Sequence, residues 1–239
     1  MGFSLFGPYH ITWLIITTIT VILVSKHFKK LDTRRQRVLQ QNIAWFVLLF
    51  EIYKDLYLIR NNEFSLSYLP FELCSLAIFA ILYHAYTNNL IVGEMLYNLF
   101  LPGAISALLF SNWTHRQIYG FMCLFSFIFH LALVTYCVMV LYAGSVKPNK
   151  KRIPYSILFL AVAGSILYPL NKIWDTNFMF LNTPSPGSPL VPFEKILGNP
   201  GYILGLVGII IFVWVVMYLP WRRLAISNKL HKYDSYFSK

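Results

Sequence analysis

The sequence predicts an all-α fold, a polytopic membrane bundle of seven transmembrane helices with the N-terminus outside and the C-terminus cytoplasmic. Two observations carry that expectation: apolar runs as long as a bilayer is thick, and basic residues confined to the short segments between them. Of the 239 residues, 57% are hydrophobic and only 12% charged, too little polar surface to cover a soluble domain of this size. The net charge of +11 points to membrane topology instead of nucleic acid, because the Lys and Arg residues cluster between the apolar runs.

A helix needs about 20 mostly apolar residues to cross about 30 Å of hydrocarbon, since lipid cannot satisfy bare backbone groups. Seven stretches meet that measure: 8–26, 38–60, 67–86, 90–111, 118–143, 154–174 and 199–219. They form one transmembrane domain over 1–239, with an outer loop at 175–198 and a basic cytoplasmic tail at 220–239.

The first span lacks a basic leader and a small-residue cleavage site, so it reads as a retained helix and not a removed signal peptide. The second carries Glu51, Lys54 and Asp55, spaced i, i+3, i+4. All three project from one helical face, which must turn into the bundle as an ion-pair network or toward a cavity. The third opens on "YLPFELCSL", where Glu72 and Cys74 stand well apart around the helix and do not share a face. The fourth and sixth contain Pro102 and Pro169, expected as kinks. The fifth holds His130 near mid-membrane. The last is free of lysine, which removes a retinal Schiff-base protein.

Lys26, Lys29, Lys30, Arg34, Arg35 and Arg37 fill the first loop, and Lys147, Lys150, Lys151 and Arg152 the fifth. The tail adds Arg222, Arg223, Lys229, Lys232 and Lys239. These segments alternate to share one side, the cytoplasm. The opposite side keeps Arg60, Arg116 and Lys195 in its loops, with Lys172 near a helix end. On this topology His10, Glu51, Asp55, Cys74 and Asn171 concentrate in the outer half. His84, Glu94 and Asn98 form a thinner inner group. Trp113, Trp174 and Trp221, near span ends, read as interfacial anchors.

Three cysteines, Cys74, Cys123 and Cys137, lie in apolar runs without C-x-x-C spacing, so no disulfide scaffold and no metal site is expected. Each reads first as a small buried packing residue, the commonest setting for a free cysteine. His130 is costly at mid-span and invites either a structural hydrogen bond or a chemical role.

The chain resembles the YwaF-type family of bacterial integral membrane proteins over nearly its whole extent. The segments that carry the likeness are "FGPYHITWL", "LPFELCSL", "GEMLYNLFLPGAISALL", His130, "NFMFLNTPSPGSPL" and "LGNPGYIL". That family is similar to a eukaryotic TMEM-type acyltransferase that moves fatty acyl chains between phospholipids. The resemblance implies Cys74 as nucleophile and His130 as general base, with no cofactor and with membrane lipids as partners. His10, Glu51, Asp55 or Asn171 would orient the imidazole or bind a headgroup. A Cys thiol in lipid surroundings needs such a base to attack an ester. Estimated depths leave the two residues about 5 to 10 Å apart along the membrane normal.

The leading expectation is therefore a multi-pass plasma-membrane protein, of the bacterial inner membrane, acting as a thiol-dependent lipid acyltransferase or acyl hydrolase in the outer leaflet. The alternatives are a non-enzymatic lipid or small-molecule binding or transport protein with a polar outer cavity, and a structural subunit.

Overall fold

The computed structural model describes residues 2–237, with side chains through Trp221. The basic side chains from Arg222 onward, part of the case for a cytoplasmic tail, lie outside the described ones. Among the described residues the fold is all-helical, with no strand. Five helical stretches are long and apolar enough to cross a membrane: Pro8–Lys30, Leu90–Leu109, Phe121–Tyr142, Lys150–Trp174 and Tyr202–Trp221.

Helix α1, Pro8–Lys30, begins on a proline whose missing N–H costs nothing there, and ends on Lys29 and Lys30 at its negative pole. Helix α2, Thr33–Arg60, follows at once. It starts earlier than the apolar run suggested because the Asp32 side chain caps it, accepting the Arg35 N–H at 3.0 Å. Its charged residues keep it out of the five apolar stretches.

Helix α3, Leu73–Thr87, is shorter than the expected 67–86 span, because Pro70 interrupts the chain and leaves only a 3-10 turn at Leu66–Tyr68 before it. It stops at Asn88, which takes the left-handed conformation (φ 49°), and Asn89 then caps helix α4, Leu90–Met95. Two adjacent asparagines thus close one helix and open the next.

The expected 90–111 helix is not uniform. After α4 the chain loosens into a π-helical turn, Leu96–Phe100, before helix α5, Leu101–Leu109. Pro102 stands just past that turn. It has no N–H to give to the Asn98 carbonyl four residues back, and Trp214 Nε1 donates to that oxygen instead, at 2.8 Å.

Helix α6, Phe121–Tyr142, is the axle of the bundle and the most buried apolar stretch, packed against α1, α2, α3 and α5. Helix α7, Ile153–Trp174, and helix α9, Tyr202–Phe237, expose long aliphatic faces, as does α1 through Ile11, Ile15, Ile19 and Ile22. An apolar outer face suits lipid contact; inside, close packing and hydrogen bonds must hold the helices together. The 175–198 segment is partly ordered, for it contains helix α8, Val191–Leu197. That helix leans on α9 at Gly205, where any Cβ would stand 2.4 Å from Phe193 Cγ.

Hydrogen bonds between distant segments identify two ends of the bundle. At one end Phe3 N–H meets Thr114 O at 2.9 Å, Lys54 reaches Tyr68 O, and Glu72 takes the Met179 N–H. At the other, Gln36 bonds Phe28 O and Glu94 accepts the Asn149 N–H.

Candidate functional site

His130 lies on α6 with its Nδ1 2.6 Å from the Ser126 carbonyl oxygen. A carbonyl can only accept, so Nδ1 carries the proton and the lone pair falls on Nε2, which has no hydrogen-bond partner among the described residues. The ring is sandwiched by aromatics: Trp113 stacks on it at 5.2 Å and 14°, and Phe129 meets it edge-on. Trp113 is therefore buried against the histidine, a correction to its expected role as an interfacial anchor. Tyr and Trp rings near span ends usually do face the headgroups, and no sequence signal marks this indole as different.

Cys74 occupies the first turn of α3, half-buried and not disulfide-bonded. Helices α3 and α6 pack together, and Cys74 lies within coulombic reach of Glu72, Glu51 and Cys137. Cys137 is two turns, about 10 Å, past His130 along α6. Among the described residues no hydrogen bond joins Cys74 to His130.

Glu51, Lys54 and Asp55 do share one inward face. The Lys54 ammonium donates to Glu51 Oε1 at 2.7 Å and to the Tyr68 carbonyl at 3.2 Å, and lies 3.1 Å from Asp55 Oδ1 without hydrogen-bond alignment. Ser75, the neighbour of Cys74, donates to the same Glu51 oxygen at 3.3 Å. One ammonium thus ties α2 to the start of α3, and Ser75 is a member the spacing argument missed. Only the contact across helices reveals it.

His10 is a clamp. Its Nδ1 accepts the Phe6 N–H at 2.9 Å, so Nε2 must carry the proton it gives to Leu108 O at 2.7 Å. Both nitrogens are committed, and the ring is fully buried. Between His10 and His130 stands Phe127, whose ring lies 6.1 Å from His10 and meets Trp113 at 83°.

Asn171 is likewise occupied. Its Oδ1 accepts from Thr176 Oγ1 and from the Phe178 N–H, both at 2.9 Å, and its Nδ2 donates to Phe178 O at 3.0 Å. The "NFMFL" segment is thereby folded back onto the end of α7. Glu72 completes the fastening: it caps no N–H of α3 but accepts the Met179 N–H at 2.9 Å. Its carboxylate serves the 175–198 segment, a purpose that its sequence position concealed. Tyr202 OH donates to Phe180 O at 2.6 Å from the far side.

The second polar group, at the opposite end, is denser than expected. Glu94 is buried, accepts from Tyr218 OH and the Asn149 N–H (2.8 Å), and has Arg152 at 3.5 Å. Asn98 accepts from Ser156 Oγ at 2.8 Å, and Trp221 Nε1 donates to Tyr97 OH at 2.9 Å. These bonds fasten the π-turn to α7 and α9. His84 bonds Tyr136 OH at 2.9 Å.

No group of three or more His, Cys, Asp or Glu able to hold a metal ion occurs among the described residues. Two surface concavities, about 240 and 350 Å³, are apolar; the larger is lined by Trp45, Phe79, Tyr83 and Tyr86 on α2 and α3.

Apolar helices of membrane length, with carboxylates, amides and imidazoles turned inward to one another, define a multi-pass integral membrane protein. The chain belongs to the TMEM164 family, which it matches over residues 5–218. No curated protein and no solved structure matches it.

Proposed function

We propose that the chain is a lipid acyltransferase or acyl hydrolase of the cell membrane, of the YwaF type, in which Cys74 is the nucleophile and His130 the base. The seven helical segments α1, α2, α3, α4–α5, α6, α7 and α9 are its seven spans. The basic loops face the cytoplasm, and the Cys74 end lies in the outer half of the bilayer.

The observation that carries the reading is the tautomer of His130. A histidine held at Nδ1–H by a carbonyl, with Nε2 unpartnered, is a base set to receive a proton. In the first step the Cys74 thiol gives its proton to Nε2 while Sγ attacks an acyl ester carbonyl. The ester C–O bond breaks, and the leaving lipid alkoxide takes the proton from the imidazolium. In the second step a lysolipid hydroxyl or water gives its proton to Nε2 and attacks the thioester. The C–S bond breaks and the thiolate recovers the proton, so the enzyme returns unchanged. In this reading Glu51 and Asp55 hold Lys54 against the start of α3, His10 ties α1 to α5, and Asn171 folds the 175–198 segment onto the end of α7.

A second reading, lipid binding without turnover, is favoured by the lack of a hydrogen bond between Cys74 and His130. The test is transfer of a labelled acyl chain from phospholipid to lysolipid by the purified protein, with Cys74→Ala and His130→Ala alongside. Loss of transfer in both variants is expected. Turnover equal to wild type in either would remove the mechanism, and stable lipid retention with no turnover in wild type would establish the second reading.

A further inference from the structure

Arg116 lies in the loop between α5 and α6, half-buried, and its Nη2 donates to the Tyr68 hydroxyl at 2.5 Å. No carboxylate among the described residues pairs with its guanidinium, whereas the neighbouring cation Lys54 is held by Glu51 and Asp55. Arg116 therefore keeps a fixed, planar set of donors that protein anions do not use.

Its position connects both halves of the candidate site. On one side, Tyr68 accepts the Lys54 ammonium through its carbonyl, and Lys54 leads through Glu51 to Ser75 and the Cys74 turn. On the other, the Arg116 N–H closes a turn on Trp113 O at 3.0 Å, and the Trp113 indole stacks on His130. Arg116 thus meets the turn that precedes the thiol helix through its guanidinium, and the turn that carries Trp113 through its backbone.

We propose that Arg116, aligned by Tyr68, is the phosphate anchor of the site: it binds the phosphodiester of a glycerophospholipid whose acyl ester descends toward Cys74. The chemistry favours it over Lys54. A guanidinium meets two phosphate oxygens with two parallel N–H bonds, and its charge is not already offset. The Tyr68 hydroxyl, taken up as acceptor, holds the Nη2 arm of the fork. This assignment rests on the acyl-lipid reading of Cys74 and His130 for its consequence in catalysis, but binding can be measured without turnover.

The protein in detergent micelles is incubated with phosphatidylglycerol or with diacylglycerol, repurified, and its retained lipid quantified by mass spectrometry. Wild type, Arg116→Gln, Arg116→Lys and the exposed control Arg60→Gln are compared. Arg116→Gln is expected to lower phosphatidylglycerol retention about tenfold, the loss of a charge-assisted bidentate contact, with Arg116→Lys recovering part of it. Diacylglycerol retention, which has no phosphate to lose, stays unchanged. Equal phosphatidylglycerol retention by wild type and Arg116→Gln overturns the proposal, as does an equal loss for diacylglycerol or an equal loss in Arg60→Gln.

Phenylglyoxal labelling of Arg116, read by peptide mass, distinguishes lipid from free phosphate. Protection by phosphatidylglycerol vesicles is expected; protection by millimolar inorganic phosphate but not by the vesicles overturns the lipid assignment. If wild type shows no acyl turnover while Arg116 still governs retention, the catalytic reading fails and the anchor stands. If turnover occurs and Arg116→Gln slows phosphate-free and phosphate-bearing donors alike, the anchor fails and the enzyme stands.

Discussion

The indole of Trp113 lies nearly parallel to the imidazole of His130, with ring centroids 5.2 Å apart. The Ser126 carbonyl fixes which nitrogen of His130 holds the proton, and the indole fixes the plane in which the other one points. Trp113 Nε1 itself is buried with no partner among the described residues. An orphan donor of that kind costs about 1–3 kcal/mol, so the ring is kept in place by its stacking surface and not by its N–H.

Trp113→Ala should therefore lower thermal stability by about 3 kcal/mol, through the cavity it leaves, and reduce acyl transfer together with it. Trp113→Phe removes the orphan donor but keeps an aromatic face, so its stability should stay within about 1 kcal/mol of wild type. Unfolding in detergent, followed by near-ultraviolet circular dichroism, measures both. A loss for Trp113→Phe well beyond about 1 kcal/mol would show that the indole N–H has a partner after all.

Lys54 is a buried cation held between two carboxylates, and the arithmetic of its removal is asymmetric. Lys54→Met leaves Glu51 and Asp55 facing each other and should cost about 3–5 kcal/mol. The triple change Glu51→Gln, Lys54→Met, Asp55→Asn removes all three charges together and should recover most of that loss. Denaturant titration of the three proteins decides it. A triple variant no more stable than Lys54→Met would mean the ion cluster contributes net stability.

Much of the architecture is legible in the sequence because the bilayer imposes a length on apolar runs and an inward direction on charges. Glu51, Lys54 and Asp55 announce their shared face through spacing alone, and the structure gathers them. What resists reading is whatever depends on contacts between helices. Trp113 looks like any interfacial tryptophan until His130 is placed beneath it. Helix spacing turns Glu72 away from Cys74 but names no partner for it, and its bond is to Met179, more than a hundred residues away. Boundaries shift for local reasons: Pro70 shortens α3, and the Asp32 cap lengthens α2. The π-turn at Leu96–Phe100 has no hydropathy signature, because it changes the backbone and leaves the apolar pattern intact.

That turn has a measurable partner. Trp214 donates to the Asn98 carbonyl, which Pro102 cannot serve. Trp214→Phe should destabilise the protein by about 1–2 kcal/mol by leaving a buried carbonyl short of a donor. In a Pro102→Ala background a backbone N–H becomes available to the same oxygen, and Trp214→Phe should then cost about 1 kcal/mol less. A double-mutant cycle by thermal unfolding reads the difference, and strict additivity would separate the two residues.

At the opposite end of α2 from the Lys54 cluster, Asp32 caps the helix in a solvent-exposed turn. The Arg35 backbone N–H, and then the Arg35 charge 3.2 Å from its carboxylate, hold the Asp32 pKa below the ordinary value of 3.8. The folded carboxyl is thus the stronger acid. Its capping contribution is complete above the unfolded pKa and disappears as pH falls through the folded one. Carbon-detected NMR of the side-chain carboxyl should place its midpoint below that of Asp32 in an unfolded peptide of the same sequence. Asp32→Asn keeps a capping oxygen without a titrating group, so the first turn of α2 should lose its low-pH fraying, read as amide exchange at Arg35 and Gln36. Fraying with the same acid midpoint in Asp32→Asn would assign the pH dependence to another group.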